Sequence, residues 1–182
     1  MKNDNRVYGL ISQLLHWIVA ALIIMQFIWA WRILQLGLGR QRYDLVNEHK
    51  SIGLTILALV LLRLIWRYFN PPPPLPTTMP PWQRRLALVT HYVIYGLLLV
   101  IPPVGWAMSS AAGFVVSWFD VFDLPALVAQ DDALKEALKT LHVTLALALG
   151  ALVIGHAAVA VHHHFVRKDD ILKRMLPLWR RP

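Results

Sequence analysis

Residues 141–165, LHVTLALALGALVIGHAAVAVHHHF, read as a membrane-spanning helix except that histidines sit inside the apolar run. An ionisable side chain at membrane depth is costly and marks a functional site with a partner to be found. His142 and His156 lie fourteen residues apart. On a helix that is about 21 Å of rise and about 40° short of four full turns, so both imidazoles leave the same face.

Composition sets this helix in a bilayer. The chain of 182 residues is 57% hydrophobic, carries eight Trp and has a mean hydropathy of +0.51, too apolar for an ordinary soluble domain. Four blocks, approximately 9–36, 49–69, 86–110 and 139–166, meet the ~20 apolar residues that a helical crossing needs. Arg63 and Arg67 interrupt the end of the second block, one turn apart, where long side chains snorkel to headgroups. The first block follows the short basic start MKNDNR, but it is too long for a signal-peptide core and no small-residue cleavage site follows, so it is read as retained.

The proline-rich stretch 70–81, NPPPPLPTTMPP, predicts a stiff, extended link between the second and third spans. Pro102 and Pro103 predict a kink in the third helix, and Gly105 permits close helix packing beside it. No internal repeat is visible. Residues 1–182 therefore read as one domain, an all-α integral membrane four-helix up-and-down bundle.

Four spans put both termini on one side. That side carries Lys2, Arg6, Arg63, Arg67, Arg84, Arg85, Arg167, Lys168, Lys173, Arg174, Arg180 and Arg181, against Arg32, Arg40, Arg42, Lys50, Lys135 and Lys139 on the other. Twelve against six predicts cytoplasmic termini. This topology accounts for most of the net charge of +8, so no nucleic-acid partner is needed.

Depth then pairs the histidines. His16 lies ten residues after Arg6 on the first span, and His156 eleven residues before Arg167 on the antiparallel fourth, which puts both in the inner leaflet. His49 and His142 stand at the outer mouths of the second and fourth spans. Facing imidazoles from two helices are what axial coordination of a haem iron requires, and two stacked pairs predict two haems about 21 Å apart. With no cysteine in the chain, covalent haem attachment and disulfides are excluded, leaving two non-covalent haem b.

The remaining histidines have plainer readings. His91, between Thr90 and Tyr92 near the inner start of the third span, reads as a packing residue; its functional alternative is a hydrogen bond to a quinone or a haem propionate. His162, His163 and His164 read as an interfacial cluster titrating in water. Gly53, one turn after His49, either leaves room for a flat macrocycle or packs helices. Trp82, Trp106, Trp118 and Trp179 read as interface anchors.

Five stretches together carry a family resemblance: LLHWIV at His16; NEHKSIGLTILALVLLRLIWRYFNPPPPLP from Asn47; THYVIYGLLLVIPPVGW from Thr90; LKTLHVTLALALGALVIGHAAVAVHHHF from Leu138; and RKDDILKRMLP from Arg167. The chain resembles the bacterial cytochrome b561 family, and within it the small di-haem members, which include a superoxide oxidase. The resemblance covers nearly the whole chain and is most specific in the HHHF, KDD and KRMLP ending. It implies His16 with His156 on one haem and His49 with His142 on the other, the pairing that depth also gives, and electron exchange with the quinone pool, ubiquinone or a similar quinone. Between Ser109 and Lys135 it is weak, and no motif carries over.

The expected function is electron transfer between a donor at the outer face and quinone. Arg32, Arg40, Arg42 and Lys50 cluster around the first connection; they read either as a solvated loop or as a positive funnel that steers a small anion, superoxide in the family's case. Arg63 is a candidate for a propionate or quinone contact, with headgroup anchoring as its alternative. A transition-metal transporter is disfavoured because such sites want carboxylate or thiolate company, which the spans lack. A cytochrome subunit that anchors and wires a partner dehydrogenase or hydrogenase shares the same architecture. The short loops and compact tail offer such a partner redox protein little docking surface, which favours the independent oxidoreductase.

Overall fold

A computed structural model describes residues 2–3, 7–76 and 79–177. Arg6, Trp179, Arg180 and Arg181, used above for topology and anchoring, lie outside the described residues. Four long helices run through the rest: α1 Leu10–Gln35, α2 Arg40–Phe69, α3 Pro81–Ala111 and α4 Asp132–His162. Each is long and apolar enough to cross a membrane, and the chain is a multi-pass membrane protein.

α2, α3 and α4 begin five to nine residues before the expected apolar stretches, because a helix does not stop where hydrocarbon gives way to water. α2 begins at Arg40, so Arg40 and Arg42 sit in its first turn and not in a loop. α3 begins at Pro81, a favoured first helical position because the missing N–H had no intrahelical partner to lose. α4 starts with Asp131 as its cap, the carboxylate accepting from the Leu134 N–H at 2.9 Å. At its other end α4 widens into a single π-helical stretch, His163–Arg167, stopped by Lys168 in the left-handed region at φ 53°.

α1 packs on α2, α2 on α3 and α3 on α4. α4 also reaches α1 where Gly150 admits the Phe27 ring; a Cβ there would stand 3.0 Å from Phe27 Cζ. The core joins Val19 and Ile23 of α1, Ile52, Ile56 and Val60 of α2, Leu98 of α3 and Leu149 of α4. Ile24, Ile65, Leu147 and Ile154 point outward and are mostly exposed, the pattern of a bundle whose surroundings are lipid.

The all-α bundle carries one addition that the sequence did not announce. Between α3 and α4, β1 Val116–Trp118 and β2 Phe122–Leu124 pair as an antiparallel hairpin, with Phe119 and Asp120 at its tip both at positive φ. Buried Ser51 of α2 seats this hairpin: its hydroxyl accepts from the Phe119 N–H at 2.9 Å and contacts the Ser117 carbonyl at 3.1 Å. Trp118 adds an indole N–H bond to Thr55 Oγ1 at 3.0 Å, so it anchors the hairpin to α2 rather than to the lipid interface.

At the opposite end, the C-terminal segment crosses the helix ends. The Trp17 indole donates to the Met175 carbonyl at 2.6 Å, Gln13 to Arg174 O at 3.1 Å, and Arg174 to Pro74 O at 3.1 Å. The described parts of both termini and of the 70–80 link thus share one face of the bundle.

Candidate functional site

α4 presents two histidines to two different neighbours. Its His156 faces His16 of α1, ring centres 6.3 Å apart and planes at 69°; its His142 faces His49 of α2 at 6.4 Å and 68°. Metal–imidazole bonds run about 2.0–2.1 Å, and each ring centre lies roughly 1.1 Å behind its nitrogen, so two rings sharing one metal stand about 6.2–6.4 Å apart. Both pairs meet that spacing. By contrast, His91 meets His156 directly, edge to face at 5.1 Å.

The donor set narrows the kind of metal. Among the described residues no three His, Asp, Glu or Cys side chains gather around one point, so a bare ion would be under-coordinated. Two facing imidazoles suit a metal that brings its other four ligands with it, as a porphyrin iron does.

The ring nitrogens are held differently in the two pairs. His142 Nδ1–H donates to the Ile101 carbonyl at 3.2 Å, which leaves the Nε2 lone pair for a metal. Gly105 makes room for this ring: a Cβ there would stand 3.0 Å from His142 Cε1 and 3.2 Å from Nδ1. The expected close packing at Gly105 is therefore against an imidazole. His49 Nδ1 is buried with no hydrogen-bond partner. His16 Nδ1 accepts from the Arg63 guanidinium at 2.9 Å.

The other candidates fall into place around these pairs. Arg63 points inward, onto His16 and over the Tyr95 ring at 5.8 Å; Arg67 lies over the same ring at 6.0 Å, half-buried. The two guanidiniums, Tyr8, Ser12, Trp66 and Tyr95 line a small polar cavity beside His16. Burial in it pushes the Tyr8 phenol up from its ordinary value, against the pull of Arg67 and Arg63. His91 Nδ1 contacts the Ala87 carbonyl at 2.6 Å, so it donates there and turns its Nε2 free.

At the other end Arg40 is almost fully exposed, loosely paired with Asp44 at 3.8 Å, while Arg42 donates to the Leu36 carbonyl at 2.9 Å and so closes the end of α1. Lys50 reaches the hairpin, 3.4 Å from the Val115 carbonyl and 5.9 Å from the centre of the Phe114 ring.

One expectation changes. The three adjacent histidines are not equivalent: His163 is buried, and its Nδ1 pairs with Asp169 at the C-terminal turn. Gly53 of α2 packs against α1, where a Cβ would meet the Gln26 side-chain nitrogen at 3.2 Å. Gln26 itself escaped the sequence reading. The one available signal was an uncharged amide in the middle of the apolar run AALIIMQFIWAW.

Comparison with known proteins agrees with this architecture. Residues 7–178 match the family described as prokaryotic cytochrome b561. Cytochrome b561 homolog 2 of Escherichia coli (strain K12) is 37% identical over 176 residues, covering 96% of this chain and 93% of the relative. A Yersinia pestis protein named "Probable superoxide oxidase CybB" is 33% identical over 177 residues, covering 95% of this chain and 97% of that one. Cytochrome b561 homolog 1 of the same E. coli strain is 34% identical over 146 residues, covering 76% of this chain and 79% of the relative. The chain belongs to the prokaryotic cytochrome b561 family, as a membrane b-type cytochrome of electron transfer.

Proposed function

We propose that the chain holds two haem b, one between His16 and His156 and one between His49 and His142, and carries electrons from a donor at the His49 face to quinone. The donor is superoxide, on the likeness to the Yersinia protein named a probable superoxide oxidase, and the location is the bacterial inner membrane, with cytoplasmic termini. The observation that carries the reading is the pair of inter-ring spacings, 6.3 and 6.4 Å, each with room for one metal atom and its two bonds.

When bound, the haem supplies one-electron iron chemistry, and the protein sets its potential and access. His142 is already in the ligating tautomer, held by Ile101. His16 would hold the iron through Nε2 with its proton moved to Nδ1 and its contact with Arg63 released, which would leave that guanidinium free for an anion such as a propionate. His91 buttresses His156 from α3. At the opposite mouth, the hairpin on Ser51 and Thr55 covers the flank of α2 just past His49.

Haem counting and ligand replacement test this. A pyridine haemochrome assay on the purified chain should return two haems, all removed by acid acetone. His16→Ala and His156→Ala should each remove the same component of a redox titration, and His49→Ala and His142→Ala the other. One haem per chain, or His16 and His49 variants that lose the same component, would reject the pairing.

A further inference from the structure

Near the outer mouth, two buried polar atoms lack partners and complement each other. His49 Nδ1 and Gln26 Oε1 are both buried with no hydrogen bond, and among the described residues only Gln83 Oε1 and His164 Nδ1 share that condition. Buried donors and acceptors are paired in the great majority of proteins, and an unpaired one calls for a reason. The atoms belong to residues already joined, because Gln26 Nε2–H donates to the His49 backbone carbonyl at 2.9 Å.

That bond also settles which way the amide faces. Nitrogen and oxygen of a glutamine are interchangeable on shape alone and are assigned by their partners. Since a carbonyl can only accept, the nitrogen must face His49 O, and the oxygen is left as the free acceptor. Gly53, one turn after His49, keeps this arrangement open: its missing Cβ would stand 3.2 Å from Gln26 Nε2.

The neighbouring ligand shows what is missing. A ligating imidazole almost always donates its second N–H to a carbonyl or carboxylate, which fixes the tautomer and raises its basicity. His142 does so through Ile101 at 3.2 Å, and His49 has no such partner. We propose that Gln26 is the positioning residue of His49, its Nε2–H holding the backbone carbonyl and its Oε1 receiving the Nδ1–H, so that Nε2 is presented as the ligand. This rests on the reading of His49 as a haem ligand.

An acceptor on Nδ1–H makes the imidazole a stronger donor and favours ferric iron. Gln26→Leu and Gln26→Met should therefore shift the midpoint of the His49 component to more positive potential, changing its oxidised-to-reduced ratio at fixed poise by up to about tenfold, or about 59 mV for one electron. Its low-spin EPR signal should move, while the His16 component stays fixed. Gln26→Glu keeps an acceptor in place and should leave the midpoint where it is or lower it. Leu and Met variants that leave the midpoint and EPR signal unchanged, or a Glu variant that raises the midpoint, would overturn the proposal.

His49→Ala separates the two possible failures: if it spares the component, the ligand assignment fails, and if it abolishes a component that Gln26→Leu leaves unmoved, only the role of Gln26 fails. Should the substituted chains not fold, pulsed EPR of the unsubstituted holoprotein decides. Both remote imidazole nitrogens of that component should give the coupling of a hydrogen-bonded N–H, and one nitrogen with the coupling of an unbonded N–H would overturn the proposal.

Discussion

Gly105 of α3 yields its side-chain volume to the imidazole of His142 on α4, where a Cβ would come within 3.0 Å of the ring. This contact is against a ring fixed by its bond to Ile101, so the neighbour has little freedom to give way. Gly105→Ala should push the ring off its axis. Overpacking of this kind costs about 1–3 kcal/mol, and the loss should appear as reduced haem occupancy and an altered EPR signal of the His49–His142 component alone. Equal loss of both components on redox titration would mean that the substitution disturbs the bundle rather than the ligand.

A second expectation concerns charge beside His16. The Arg63 guanidinium lies within hydrogen-bond reach of that ring, and removing a cation near a redox centre disfavours the added electron. Arg63→Gln should therefore move the midpoint of the His16–His156 component to more negative potential. Arg67→Gln, one turn further along α2 and 6.0 Å from the centre of the Tyr95 ring, should do less. An unchanged midpoint for Arg63→Gln, measured by spectroelectrochemistry, would leave that residue only an anchoring role.

How legible these features were depends on whether they repeat. The spans follow from runs of apolar residues, and the pairs His16–His156 and His49–His142 follow from depth, because antiparallel helices convert sequence distance from a charged end into height. The hairpin was hidden because its tip, Phe119 and Asp120, takes positive φ without a glycine, held by Ser51, which lies 68 positions away from Phe119. His163 looked like one of three equivalent surface histidines, since only the π-helical turn and the return of the chain to Asp169 bury it. Gln26 left no periodic signal at all: a single amide gains its meaning from His49, whose backbone carbonyl it meets across the helix pair.

The C-terminal turn should be a separable stabilising unit. Asp169 accepts from the Ile171 N–H at 3.1 Å with one oxygen and pairs with His163 with the other, while Asp169 N–H bonds back to the His163 carbonyl at 3.2 Å. Hydrogen bonds to charged groups are worth about 1.5–3 kcal/mol. Asp169→Ala should lower the thermal midpoint by a few degrees and speed tryptic cleavage around Lys168 and Lys173, with both haem components intact in the redox titration. Loss of a haem component in Asp169→Ala or His163→Ala would place His163 in the redox site instead.

The donor is tested most directly through the cations at the His49 end. Arg40 has a side chain 95% exposed and a long, water-screened ion pair with Asp44, worth about 0–1 kcal/mol, so its charge is available to an approaching anion. Arg42 is committed to the Leu36 carbonyl, so its replacement changes both the field and the end of α1. Electrostatic steering raises association rates and weakens with ionic strength, since the field range shrinks to about 8 Å at ~0.15 M salt. Superoxide should reduce the oxidised protein rapidly, added salt should slow that step, and Arg40→Glu should slow it several-fold while leaving the spectrum and stability unchanged. Arg42→Glu should slow it as well and also lower the thermal midpoint. Stopped-flow mixing with pulsed superoxide checks this: a rate indifferent to both salt and Arg40→Glu would reject steering by this face, and no reduction by superoxide would turn the search toward a protein donor docking beside the hairpin.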